Sequence, residues 1–386
     1  MATLKDKTAI VGIGETTYSK NSGMEDVELI FQAATRAICD AGITPKDIDG
    51  IIPGFSGTAA EEFISNFGIE DLRYTTTVRM GGASAVASLQ SAAMAIVTGI
   101  ASSVLCVSGW NGYSGRRVSA LAERRESQLP MMTLMGDFEI PFGSFVPAQW
   151  YAPMARRHMY EYGTTSRQLG AVAVAMRKHA ILNEKAIMKK PITIEDHQNS
   201  RMISDPFRLL DCCIESDGAA AVVVSSVERA RDMKHPPVYI SGVAEGHPDF
   251  PDQITNRPVM TELGIRKAAP RAFAMAGVTP GDIDVAEIYD CFTWVVICQL
   301  EDLGFCKKGE GGSFVQGGRI ELGGNIPVNT HGGLLSQAHI LGMNHIIEAT
   351  KQLRHAAGPA QVNEANIALV SGYGDFGDGS VAILRR

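Results

Sequence analysis

The chain of 386 residues has seven cysteines but no Cys-x-x-Cys pair, contains no Gly-x-Ser-x-Gly, and carries no excess of basic residues. The first absence excludes a zinc ribbon or a disulfide framework, and a metal role is not expected. The second removes the usual sequence support for a hydrolase triad. Lys and Arg number 35 against 42 Asp and Glu, for a net charge of −7, so no chain-wide basic field exists to hold nucleic acid or an anionic membrane. The opening stretch MATLKDKTAIVGIGETTYSK runs from a charged start straight into a short apolar strand, without the apolar core and cleavage site of an export signal. The ending VAILRR matches no lipidation or peroxisomal signal, and a cytoplasmic protein is expected.

Apolar residues make up 45% of the chain and charged residues 20%, which suffices for a buried core and excludes general disorder. Met80 to Gly115 carry no charge at all. Ser91, Thr98, Ser102 and Ser103 punctuate this run and Gly99 divides it, so it reads as a buried helix over about 84–98 followed by a buried strand, SVLCVSG, and not as a membrane span.

Internal repetition is the strongest architectural signal. AGITPKDID at 41–49 returns as AGVTPGDID at 276–284, with seven of nine positions identical. The helices before them align without gaps and share Ala33/Ala268, Ala34/Ala269, Arg36/Arg271 and Ala37/Ala272. A Gly-Gly pair, Gly81-Gly82 or Gly332-Gly333, is expected to open an apolar helix in each half. Each helix leads to a strand ending in Val-Ser-Gly-aromatic, at Val107 to Trp110 and Val370 to Tyr373. The expectation is an α/β fold of two pseudo-symmetric halves, with mixed, mostly parallel sheets layered between helices. Residues 1–120 and 205–235 would form the N-terminal half and 236–386 the C-terminal half. The stretch 121–204 has no counterpart and reads as an inserted loop subdomain. Ten Lys and Arg against five Asp and Glu over 156–208 suit either a phosphorylated ligand or a solvated helical face.

Two local motifs invite chemistry. VGIGETT places Gly12 and Gly14 after a strand, but Thr17 stands where a dinucleotide fingerprint needs its third glycine and Glu15 would oppose a pyrophosphate. A strand-to-loop turn is the better reading. His331, His339 and His345 crowd NTHGGLLSQAHILGMNH, yet spacings of eight and six do not stack them on one helical face, and a catalytic histidine is favoured over a metal site.

Taken in order, these features resemble the thiolase superfamily, and within it the sterol-carrier-protein type. The stretches HMYEYGTTSRQLGAVAVAMRKHAILNE (158–184), SDGAAAVVV (216–224) and EIYDCF (287–292) carry the likeness. The resemblance implies an αβαβα layered fold and a nucleophilic cysteine at the start of a buried helix, where the helix dipole favours the thiolate. Alignment of GGASAVASLQSAAMAIVTG puts Gly82 at that position, and neither Met80 nor Ser84 replaces it. The family's Gly-Gly-His element is kept as Gly332, Gly333 and His339, with Ala338 and Ile340 as flanks. Its Asn-Glu-Ala-Phe or His-Asp-Cys-Phe motif appears as Tyr289-Asp290-Cys291-Phe292. Its final cysteine is replaced by Tyr373, with Gly374 as the alternative register.

A site with its nucleophile gone but its oxyanion donors kept can still stabilise a thioester enolate. The resemblance extends to the steroid side-chain-cleaving aldolases of the superfamily, which lack the same cysteine. It implies a carbon–carbon lyase acting on a β-hydroxyacyl-CoA by retro-aldol cleavage, with a CoA thioester as substrate and no bound cofactor. His339 and the Gly82 amide would bind the thioester oxygen, Tyr289 and Tyr373 would move the protons, and Asp290, His331, Gly332 and Gly333 would line the substrate. Partners implied are a second copy, as a homodimer, and a small OB-fold, zinc-ribbon-like protein completing a heterotetramer. Alternatives are an acyltransferase with a displaced nucleophile, Cys291 or Cys106, and a non-catalytic lipid-binding scaffold.

Overall fold

The computed structural model describes residues 4–54, 58–115, 137–250, 254–374 and 377–386. Eleven strands are described: β1 (Thr8–Glu15), β2 (Gly50–Ile52), β3 (Tyr74–Thr75), β4 (Ser103–Asn111), β5 (Met202–Ser204), β6 (Phe207–Arg208), β7 (Asp217–Ser226), β8 (Val238–Gly246), β9 (Val285–Glu287), β10 (Ile367–Gly374) and β11 (Asp378–Arg385). Nine form one sheet in the order β3-β2-β4-β7-β1-β8-β11-β10-β9, and β5 pairs with β6 apart from it. The helices of eight or more residues are α1 (Asp26–Ala41), α2 (Ala60–Phe67), α3 (Ser84–Val97), α4 (Pro147–Tyr162), α5 (Ser166–Leu182), α6 (Ile265–Ala276), α7 (Thr293–Asp302) and α8 (Met343–Leu353).

The sheet is two copies of one unit, β2-β4-β7-β1 and β9-β10-β11-β8, joined where β1 meets β8 at Ala9–Tyr239 and Ile10–Val238. The repeated sequence does the same work twice. In each copy a left-handed glycine, Gly42 or Gly277, ends the first helix. A tight turn follows, in which Thr44 or Thr279 hydrogen-bonds Asp47 or Asp282. The last aspartate of each repeat, Asp49 or Asp284, then accepts the backbone amides that start β4 or β10.

Helices α3 and α8 fill the space between the two half-sheets and share one apolar cluster with strands of both. Helix α3 is buried along nearly its whole length, with Met94 its one exposed side chain, which accounts for the charge-free run. Helix α1 covers the outer face of the first half and α6 that of the second, so the layers alternate helix, sheet, helix, sheet, helix.

Three details correct the sequence reading. The sheet is mixed, but antiparallel pairings predominate, because β7 and β11 return between the parallel strands and β1 or β8. Gly332-Gly333 opens a single turn, Gly333–Ser336; the counterpart of α3 is α8, which starts after Gly342. Gly12 and Gly14 lie within β1 and not in a turn after it, and they serve close packing: a Cβ there would stand 2.2 Å from the Ala37 and Ala33 carbonyls of α1. Gly242 repeats the contact against Ala272 of α6, the repeat partner of Ala37. Residues 121–136, the first part of the insertion, lie outside the described residues, as do 116–120 before them.

Gly12→Val forces α1 off the sheet, and overpacking of this kind costs about 1–3 kcal/mol. Urea unfolding should show that loss as a lower midpoint with an unchanged slope.

Candidate active site

The start of α3, the end of β10 and the segment after β9 converge on Gly82. A Cβ added there would lie 2.1 Å from Tyr289 Cζ and 2.2 Å from Tyr289 Oη. No side chain at position 82 is compatible with the phenol as it stands. The phenol therefore fills the room in which a residue at the helix start would project its side chain.

Tyr289 is held from both sides. Gln299 Nε2 donates to its carbonyl at 2.7 Å, its amide donates to Ser371 Oγ at 3.3 Å, and Ser371 Oγ donates to Gln299 Oε1 at 2.8 Å. Gly342, at a φ of 89° that favours glycine, packs against the ring, where a Cβ would approach Cδ2 to 3.0 Å.

The hydroxyl of Tyr289 is 3.0 Å from His339 Nε2. His339 is positioned by two residues of the other half: Trp110 Nε1 donates to its carbonyl at 2.8 Å, and its own amide donates to Ser216 Oγ at 2.7 Å. The Trp110 ring meets the imidazole edge-on at 5.4 Å. Burial, aided by neighbouring His345, pushes the imidazole down to about 4, so it is neutral at pH 7. Burial first, then the Cys291 and Cys213 thiols, holds the Tyr289 phenol well above its ordinary value. The pair is thus a hydrogen bond between two neutral groups.

Tyr373 goes elsewhere. On β10, Gly372 and Gly374 face the start of α3, and a Cβ on Gly374 would come within 2.4 Å of the Gly82 nitrogen. Strand alternation turns the Tyr373 ring to the opposite face, 5.4 Å from the Tyr151 ring of α4. Of the two registers considered from sequence, Gly374 is the one that faces Gly82. The Tyr373 hydroxyl is buried with no hydrogen-bond partner among the described residues.

The four residues expected along the substrate are buried and engaged internally. Asp290 accepts the Leu334 and Leu335 amides at 2.7 and 3.2 Å, capping the turn that leads to His339. Gly333 is required there, because a Cβ would fall 2.0 Å from Asp290 Oδ2, and a Cβ on Gly332 would fall 2.6 Å from Ala180 Cβ. His331 Nδ1 sits 2.9 Å from Glu287 Oε2, away from His339. Among the described residues no group of three or more His, Cys, Asp or Glu side chains is arranged to hold a metal ion.

With this geometry in view, known proteins place the chain. A sequence model described as thiolase C-terminal domain-like matches residues 249–386. A steroid side-chain-cleaving aldolase of Thermomonospora curvata is 43% identical, over 97% of each chain. The chain belongs to the thiolase superfamily. A 17-hydroxy-3-oxo-4-pregnene-20-carboxyl-CoA lyase of Mycobacterium tuberculosis is also 43% identical, over 96% of this chain and 97% of that one. A solved structure described as Ltp2-ChsH2(DUF35) aldolase superposes with a TM-score of 0.93 at 41% identity, covering 100% of this chain and 99% of its own.

Within that superfamily, the thiols offered as displaced nucleophiles are poorly suited. Cys106 is buried in β4, where burial raises its thiol to about 12. Burial and the nearby Cys213 and Asp290 hold Cys291 well above the ordinary thiol range. Neither is a thiolate at neutral pH. Sequence reasoning missed Trp110, Ser216, Gly342 and Tyr151. Trp110 and Ser216 stand in stretches already noted for other reasons, but nothing in their spacing announces a contact with a residue more than a hundred positions away.

Two outcomes follow for this site. Gly82→Ala should cost about 1–3 kcal/mol of stability, as read from a double-mutant cycle of unfolding free energies. The part of that cost due to the phenol should vanish in a Tyr289→Ala background, leaving the part due to the Tyr373 carbonyl, 2.5 Å from the same Cβ. His339 and His179, both held near 4, resist a proton that the unfolded chain accepts near 6.5. Stability contributed by these two groups therefore falls as pH drops from 6.5 to 4, and His339→Gln should flatten part of that slope in thermal unfolding midpoints taken across the window.

Proposed function

We propose that this protein is a thiolase-fold lyase that cleaves the side chain of a β-hydroxyacyl-CoA by a retro-aldol reaction, with a steroid-CoA as the acyl class. The observation that carries the reading is the exclusion at Gly82: a phenol hydrogen-bonded to a neutral histidine takes the room of the superfamily's attacking thiol. Without a nucleophile there is no acyl-enzyme, while groups that stabilise charge on a thioester oxygen retain their use. The names borne by both 43%-identical relatives support the same reaction.

The β-hydroxyl proton passes to a base, the Cα–Cβ bond breaks, and its electron pair moves onto Cα and the thioester oxygen. A proton then returns to Cα, giving a ketone or aldehyde and a shorter acyl-CoA such as propionyl-CoA. His339 and the Gly82 amide serve the thioester oxygen. Tyr289, protonated at rest and beside His339, is suited to give the proton to the enolate. Tyr373 is the second proton-transfer group: an unpartnered buried hydroxyl costs stability, and a substrate hydroxyl would supply the missing partner. A phenol acts as base only when its pKa is lowered; burial raises that of Tyr373, and the Arg257 guanidinium acts against burial, in the lowering direction.

The basic surplus over 156–208 suits the CoA phosphates. A homodimer and an OB-fold, zinc-ribbon-like partner in a heterotetramer are proposed on the resemblance; the description Ltp2-ChsH2(DUF35) aldolase, with its two named components, supports the partner. The described residues include no helix long and apolar enough to cross a membrane; a cytoplasmic location is proposed from the sequence alone.

Incubation with a branched β-hydroxyacyl-CoA, alone and with a partner subunit, should release a shorter acyl-CoA and a carbonyl product by mass spectrometry, with no mass added to the protein. Tyr289→Phe should lower kcat about 10²–10⁴-fold, the range typical of a lost proton-transfer group. A covalent acyl adduct on the wild-type chain, or a full rate in Tyr289→Phe, would overturn the reading.

A further inference from the structure

Behind Tyr289 lies a set of buried titratable groups that the reaction above does not use. The His345 ring lies nearly parallel to the Tyr289 ring, 6.1 Å away at 21°, and meets His331 edge-on at 4.8 Å. His345 Nε2 is 3.1 Å from the Ile288 carbonyl and 3.2 Å from Asp290 Oδ1. Glu287 Oε2 is 2.9 Å from His331 Nδ1, and Glu287 Oε1 is 2.9 Å from Thr330 Oγ1. Thr330 Oγ1 is in turn 2.7 Å from Glu348 Oε1, and Gln352 Nε2 reaches the same hydroxyl at 2.9 Å. Glu287, His331 and His345 are all at most 1% exposed, and Glu348 is 5% exposed.

Counting hydrogens exposes a deficit. The Thr330 hydroxyl has one hydrogen and stands between two carboxyl oxygens. Gln352 gives one amide hydrogen to the Ala360 carbonyl and directs the other between the hydroxyl oxygen and Glu348 Oε1. The Thr330 amide donates to Glu287 Oε1, so neither supplies a hydrogen to the second oxygen–oxygen contact. If both carboxyls were ionised, one of the two short oxygen–oxygen contacts would hold no hydrogen, and two like charges would share a hydroxyl in an interior closed to water. One additional proton resolves both problems at once. No lysine or arginine supplies the balance directly, since the Lys351 ammonium one turn beyond Glu348 is bonded to Glu15 at 2.5 Å.

We propose that Glu287 and Glu348 share a single proton across Thr330 at neutral pH, and that with His331 and His345 they form a positioning cluster that keeps the Tyr289 phenol aligned on His339. The part of the proposal that concerns alignment rests on the reaction assigned above; the shared proton does not. The groups facing the pair are Thr330 and His331 from the loop before the Gly332-Gly333 turn, His345 and Lys351 from α8, and Asp290 from the segment after β9. Burial pushes Glu287 up to about 7 and raises Glu348, while His331 is driven down to about 3, so the proton resides on the carboxyls. Loss of that proton to solvent takes the carboxyl pair from one negative charge to two, directly against His331. The imidazole that braces His345, and through it the Tyr289 ring, then faces a changed charge.

Infrared difference spectra of the whole protein in H2O and D2O test the proton without substrate. At pH 6 the wild type should show a protonated-carboxyl C=O band that is lost in Glu287→Gln and equally lost in Glu348→Gln, because an amide on either side supplies the missing hydrogen and lets the remaining glutamate ionise. A band that survives in either variant, or that is absent from the wild type, overturns the shared proton. The pH profile of kcat tests alignment: the wild-type rate should decline as the proton leaves near pH 7, and that limb should be missing from both glutamine variants, which a merely structural role would not produce. A limb unmoved in folded variants overturns the positioning role. Absence of turnover in every protein would instead sink the proposed reaction, with the infrared result still deciding the proton.

Discussion

Two groups compete for one volume at the start of α3, and the rest of the site follows from which of them is present. With glycine at position 82, the Tyr289 ring lies against the helix start and its hydroxyl reaches His339. With any side chain there, the ring would have to leave. A side chain at position 82 and the Tyr289 phenol therefore exclude each other, although 207 residues separate them in sequence. With neither present, a cavity would forfeit packing in the most enclosed layer of the molecule.

That layer explains why the site holds so many neutral groups. Helices α3 and α8 are closed in by sheets on both sides, and desolvation there lowers histidines and raises phenols, thiols and carboxyls. An environment of this kind cannot keep an isolated charge, but it strengthens hydrogen bonds aimed at a charge that develops on a bound thioester. The two halves contribute unequally. The C-terminal half supplies Tyr289 and His339, and the N-terminal half supplies Gly82 and, through Trp110 and Ser216, the clamp on the His339 backbone. Neither half contains a complete site.

Much of the fold was legible because duplication writes the same instruction twice. The paired Thr-Pro-x-Asp turns and the alanines that meet strand glycines recur with the same structural duty, while the Val-Ser-Gly-aromatic strand ends recur in place but not in contacts. The predominance of antiparallel pairing was not legible, since a buried valine-rich strand looks alike whichever way its neighbours run. The pairing of Gly332-Gly333 with Gly81-Gly82 misled for a related reason: a dipeptide match says that a glycine is needed, and here one pair opens a buried helix while the other clears a carboxylate. The sequence left Tyr373 and Gly374 open as alternative registers, and in a strand that one residue exchanges the two faces: Gly374 faces Gly82, and the Tyr373 ring faces Tyr151.

Taken alone, the sequence determined the two-fold layered architecture, the absence of a cysteine at the start of α3 and the residue types available there, because repeats, apolar periodicity and motif order are properties of the linear chain. Tertiary structure decided which of those residues meet. It joined Tyr289 to His339, turned Tyr373 to the other face of β10 and withdrew Asp290 and His331 into the support behind the site. It also set two glutamates 61 positions apart on either side of one threonine. Such contacts depend on distances between segments that no spacing along the chain encodes, and the protonation of each group depends on how much water those contacts exclude.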